Sequence, residues 1–227
     1  MRALALAGVL GIAAMAAGQG DDVTSELIEY QQGDTVLQGY MAWRPSTGTL
    51  PAVMIVHEWK GRGEYVKRRA DQLARLGYLA FAADMYGKGV FAKDHEEAGK
   101  LAGAFFNDRK LMRERARAGL DVLVKHKMCD SKRVAAMGYC FGGTTVLEMA
   151  RAGFDLKGVA SFHGNLSTPT PADAKNIKGK VIAFHGADDT FVPKAVVDAF
   201  HKEMKDAKVD LSKTFNVKFV KKAAASM

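Results

Sequence analysis

The chain has 227 residues, 48% of them hydrophobic, enough to bury one sizeable core and expected as one domain. Its formal net charge of +8 is spread over segments such as Lys67-Arg68-Arg69 and Arg109 to Arg117, where basic side chains alternate with acidic and apolar ones. No aromatic-basic motif accompanies them, so the charge reads as a solvated basic surface with some pull on anionic substrates, and no nucleic-acid partner is expected.

The first residues, MRALALAGVLGIAAMAAGQG, read as a leader. Arg2 supplies a minimal positive region, Leu4 to Ala14 an apolar stretch, and Ala14-Met15-Ala16 a small-x-small cleavage pattern. Residues 1–18 are therefore expected as a signal peptide and 24–227 as the folded domain of a periplasmic or secreted protein; the alternative is a buried N-terminal helix. The apolar stretch is shorter than the roughly 20 residues that span a bilayer, and no cysteine follows it, so no stable membrane anchor is expected.

Thr35 to Trp43 alternates loosely and predicts an early antiparallel strand, followed by a loop from Pro45 to Pro51. Ala52 to His57 is continuously apolar, as in a strand covered on both faces. The glycine-bearing loop EWKGRGE leads to a helix from Glu64 to Leu76, capped by Gly77, and Tyr78 to Ala83 is the next buried strand. Residues 94–127 read as helical. Arg133 to Gly138 is a strand, Gly142 to Arg151 a helix, and Gly158 to His163 and Lys180 to His185 are two further strands. Lys194 to Lys205 is a helix and Thr214 to Val220 a last strand. Strands alternating with helices predict an α/β fold with a mostly parallel central sheet flanked by helices, in which ligands bind at the carboxyl ends of the strands.

At that end stand Glu58, Tyr86, Cys140 and Asp189, each after a strand. Cys140 lies in GYCFGG, where glycines on either side permit a sharp strand-to-helix turn that exposes the central side chain. The helix N-terminus is expected to stabilise a thiolate and lower the thiol's pKa, and the Phe141 N–H to face a developing oxyanion. A small buried cysteine at a tight turn is the other reading. In HGADDTFVP the acid is Asp189, with Asp188 as its neighbour and competitor. Glu58 is read either as a carboxylate facing the same cleft or as a surface residue paired with Arg62 or Lys60. Cys129 and Cys140 are separated by a strand, too far to be bridged. No C-x-x-C or His/Cys cluster points to a metal, and thiol chemistry requires no cofactor.

Taken in order, VHEWKG, Ala83 to Gly89, GYCFGG and GADDTFVP resemble the dienelactone hydrolase family, from about Tyr30 to Phe200. The resemblance implies the α/β-hydrolase fold and cleavage of a lactone or ester by a cysteine, with a histidine and an aspartate completing a triad. It assigns Cys140 as nucleophile, Asp189 as the acid and Glu58 as the glutamate that holds the resting thiol and moves away to help ionise it. It also assigns the Trp59 N–H as the second oxyanion donor and Tyr86 as a pocket-lining residue.

The family's histidine is expected after the last strand, in a G-x-x-H-x-F-like loop. The six histidines here are His57, His95, His126, His163, His185 and His201, and the chain ends in KKAAASM. His163 and His57 could reach the cleft; His185 reads as structural and His201 as a surface residue. The sequence is therefore expected to be C-terminally truncated or altered, for example by a shifted reading frame. Alternatively, it belongs to a protein that works without the histidine, as a small-molecule-binding protein or a slow thiol enzyme.

Overall fold

The computed structural model describes residues 23–209 and the backbone of a strand at Lys213–Val217. The expected signal peptide and the residues beyond Val217 lie outside the described residues. Among those described, eight strands form one sheet in the order β1-β2-β4-β3-β5-β6-β7-β8. The strands are β1 Thr24–Gln32, β2 Thr35–Trp43, β3 Leu50–Val56, β4 Leu79–Ala83, β5 Cys129–Tyr139, β6 Gly158–Phe162, β7 Lys180–Gly186 and β8 Lys213–Val217. Strands β1, β2 and β4 pair antiparallel, and every pairing from β4 through β3 to β8 is parallel. The helices are α1 Glu64–Arg75, α2 His95–Asn107, α3 Arg109–Lys125, α4 Phe141–Arg151 and α5 Lys194–Asp206, with a 3-10 turn at Pro171–Asn176.

The continuous apolar runs follow from burial on both faces. Met54, Val56, Phe81 and Ala83 join the larger core with residues of α2 to α5, while Val53, Ile55, Ala80 and Ala82 pack with Val66, Ala70 and Ala74 of α1. β1 was not expected, because its side chains are exposed or half-exposed and only Ile28 and Tyr30 alternate toward the core. It is held to β2 through a tight turn at Gly33, whose φ of 57° is the left-handed region open to glycine. The expected single helical segment over 94–127 is two helices. Asp108 breaks it by accepting the Leu111 N–H at 2.9 Å, which makes it the N-cap of α3.

Register brings the carboxyl ends together. Val56 pairs with Ala83 on one side and Gly138 on the other, Tyr139 with Phe162, and Phe162 with Phe184. The residues that follow β3, β4, β5 and β7 therefore emerge along one edge of the sheet.

Helix α4 is buried along its whole length and holds two charges in the interior. Glu148 accepts from Arg113 Nη2 at 2.8 Å and from Arg151 Nη1 at 3.1 Å, and Arg151 Nε and Nη2 reach the two Glu203 oxygens at 2.8 Å. Arg151 Nη2 also donates to the Leu166 carbonyl at 2.9 Å. This network ties α4 to α3 and α5. Arg151→Met leaves Glu148 short of a partner and Glu203 without one among the described residues, and is expected to cost about 3–5 kcal/mol, read as a lower denaturant midpoint with an unchanged slope.

Candidate active site

Cys140 sits at the junction of β5 and α4 with φ 53° and ψ −115°, a backbone conformation that L-residues rarely adopt. The turn that enforces it exists because two glycines have no Cβ. A Cβ on Gly138 would lie 2.1 Å from the Gly142 carbonyl oxygen, and one on Gly142 would lie 2.2 Å from that of Val56. The Cys140 N–H is anchored to the Phe162 carbonyl at 2.9 Å. The thiol is half-buried and free, at the opposite end of β5 from Cys129, which is free as well.

Around the sulfur the structure assembles the residues read from the sequence. The backbone N–H groups of Phe141 and Trp59 both act on the thiol to favour its ionised form, and the charges of Glu58 and Asp189 both oppose it. The net shift is upward. Burial is its largest cause, opposed by the Phe141 N–H, and the two carboxylates then outweigh the Trp59 N–H. The expectation of a lowered thiol pKa is thus corrected: the helix N-terminus supplies its donor, but desolvation and two nearby carboxylates prevail. Cys140 rests as a neutral thiol.

Asp189, not Asp188, is the acid turned toward the cleft. Its Oδ1 accepts the N–H groups of Phe191 at 2.9 Å and Val192 at 3.3 Å, while Asp188 is exposed. Glu58 follows β3 and is half-buried, and its charge is felt at Tyr139 as well as at the thiol. Arg62, one of its candidate surface partners, donates to Gln38 Oε1 at 3.2 Å.

Tyr86 is 8% exposed, and its hydroxyl donates to the Trp59 carbonyl at 2.9 Å. Burial and the neighbouring Cys140 push its phenol pKa up. The loop that carries it is fixed by buried Asp84, whose Oδ1 accepts the N–H groups of Tyr86 and Gly87 at 2.9 and 3.1 Å. Trp59 stacks on His95, ring centroids 5.3 Å apart.

The histidines divide clearly. His57 is fully buried with both ring nitrogens engaged, Nδ1 with the Glu58 carbonyl at 2.6 Å and Nε2 with the Met85 N–H at 3.2 Å. It is therefore not available as the general base it was allowed to be from sequence. His185 is buried and its Nε2–H donates to the Val192 carbonyl at 3.1 Å, closing the acid loop as a structural residue. His163, with φ 43°, and His201 are exposed. The sequence given carries no histidine after His201, and the segment after the last strand lies outside the described residues. Among the described residues, no group of three or more His, Cys, Asp or Glu side chains is placed to hold a metal ion, and no helix is long and apolar enough to cross a membrane.

The family model described as "Dienelactone hydrolase family" matches residues 37–216. The chain belongs to the dienelactone hydrolase family. Protein usf of Aquifex pyrophilus is 30% identical over 171 residues, covering 74% of this chain and 73% of that protein. Among solved structures, m3DLH is 39% identical with a TM-score of 0.80, covering 83% of this chain and 79% of its own. A dienelactone hydrolase-like promiscuous phosphotriesterase from metagenomic libraries is 35% identical with a TM-score of 0.79 at the same coverage. The fold is the α/β-hydrolase fold, as expected.

The raised thiol has a measurable consequence. Alkylation by iodoacetamide follows the thiolate fraction, so its rate is expected to climb with pH through a midpoint above the ordinary thiol value of 9.0. Glu58→Gln removes a negative charge that disfavours the thiolate, and the midpoint is expected to move down. A midpoint that stays in place or rises would show that Glu58 does not act on the sulfur.

Proposed function

We propose that this chain hydrolyses a lactone or carboxylic ester through Cys140. The observation that supports the reading is a half-buried thiol on a positive-φ turn at a helix N-terminus, whose ionised form is favoured by the N–H groups of Phe141 and Trp59. In this reading the thiol gives up its proton to Glu58 as substrate displaces water from the cleft. The sulfur then attacks the carbonyl carbon and the C=O electron pair moves onto oxygen, where the two N–H groups stabilise the charge. Collapse of the tetrahedral species expels the alkoxide, which takes the proton back from Glu58, and leaves a thioester on Cys140. Water hydrolyses the thioester, releasing the acid and restoring the thiol. Tyr86 lines the substrate pocket in this reading, and its hydroxyl holds the Trp59 carbonyl.

Asp189 serves a triad in this family when a histidine stands between acid and nucleophile. In the sequence given, no histidine follows His201. Without a histidine to complete that triad, Glu58 would be the proton acceptor and turnover would be slow by several orders of magnitude. The raised thiol pKa also favours a second reading, a non-catalytic small-molecule-binding protein that retains the cleft. We further propose export, on the signal-like residues 1–18.

The test is turnover of aryl esters and lactones, with an aryl phosphotriester added because of the similarity to the promiscuous phosphotriesterase. Slow hydrolysis by the parent that Cys140→Ala abolishes is the expected result, with added imidazole increasing the parent's rate by standing in for the histidine. Equal rates in parent and Cys140→Ala would sink the thiol mechanism. Ligand-dependent thermal stabilisation without turnover would establish the binding reading instead.

A further inference from the structure

The oxyanion site draws its donors from two separate elements, the loop after β3 and the first turn of α4. Two donors on different segments act on one oxygen only if something fixes their relative aim. The Trp59 N–H belongs to the peptide unit that joins Glu58 to Trp59. No cis peptide occurs among the described residues, so the Glu58 carbonyl points opposite to that N–H. Whatever holds the carbonyl therefore aims the donor.

The carbonyl is held twice. Gly61 N–H donates to it at 3.2 Å across the loop, and His57 Nδ1 lies 2.6 Å from it. The tautomer follows from the other side of the ring: Nε2 accepts the Met85 N–H at 3.2 Å, so Nε2 is bare and Nδ1 carries the proton. The ring cannot swing away, because it packs edge-on against Tyr86 at 4.8 Å and lies over Phe141 at 5.8 Å. Phe141 carries the second donor. One imidazole thus grips the peptide of the first donor and stacks on the side chain of the residue that supplies the second.

We propose that His57 is a positioning residue that aims the Trp59 N–H at the oxyanion, through its Nδ1–H bond to the Glu58 carbonyl and its contact with Phe141. This rests on the thiol-ester chemistry proposed above. His57 touches neither substrate nor sulfur in that role. Burial lowers its pKa to about 4, so the required neutral form persists through mildly acidic conditions.

A tetrahedral adduct separates aim from nucleophilicity. A trifluoromethyl ketone adds to Cys140 and places an oxyanion between the two donors, whereas iodoacetamide alkylates the thiol without forming one. Asparagine can present an amide donor near the Nδ1 position, and glutamine reaches only the Nε2 position. His57→Asn is expected to keep the adduct affinity within about threefold. His57→Gln is expected to weaken it roughly 10- to 100-fold, less than or equal to the loss of an outright donor. Alkylation rates should match the parent in both. Equal losses in the two variants, or no loss in His57→Gln, would overturn the proposal.

If either variant fails to fold, nitrogen-15 spectra of the parent protein decide. A bare Nε2 and a protonated Nδ1 at His57 across neutral pH support the clamp, and the opposite tautomer overturns it. A parent that forms the adduct but leaves esters intact counts against the hydrolase reading alone. A parent that forms no adduct removes the oxyanion site and this inference with it.

Discussion

The close approach of Gly142 to the end of β3 is the constraint on which the site depends. A side chain there would strike the carbonyl groups of Val56 and His57, so only glycine lets the first turn of α4 rest on that strand. The contact sets the distance between two otherwise independent backbone segments. It also explains why a half-buried thiol and two backbone donors share a small space. The positive φ at Cys140 is the local cost, of order 1–3 kcal/mol for a non-glycine residue, and the hydrogen bonds from Cys140 to Phe162 and from Thr144 to Cys140 hold it in place.

A second layer keeps α4 from moving once seated. The helix is buried over all eleven residues, and its C-terminal half carries Glu148 and Arg151 in a paired ionic network rather than in apolar packing. Such pairs add little net stability over hydrophobic replacements, but they are specific in direction and register. Helices α3 and α5 are therefore fixed to α4 by directed bonds, and the elbow is fixed to the sheet by close backbone contact.

Much of this was legible in the residues. The buried strands β3 and β4 were visible because double-sided burial leaves uninterrupted apolar runs, and the elbow because glycine spacing has a steric reason. Asp189 and Glu58 were read as cleft residues, and their charges do act on the thiol. Other features were not legible. β1 is an edge strand that sends only Ile28 and Tyr30 against the core, too short an alternation among polar residues to stand out. Asp108 ends one helix and caps the next, a role that a single polar residue in a helical stretch does not announce. The sign of the thiol shift depends on burial and on two carboxylates brought in from distant strands, whereas only the helix N-terminus is local. His57 looked like a candidate base because residue type cannot reveal that both its ring nitrogens are spent on backbone groups.

The neutral resting state of Cys140 bears on the durability of the protein. Peroxides and disulfides react with thiolates far faster than with thiols. A cysteine kept protonated by burial and by two carboxylates is therefore slow to form a sulfenic acid or a mixed disulfide, although it stands half-open at the surface. The same charges that delay its ionisation also shield it from oxidants.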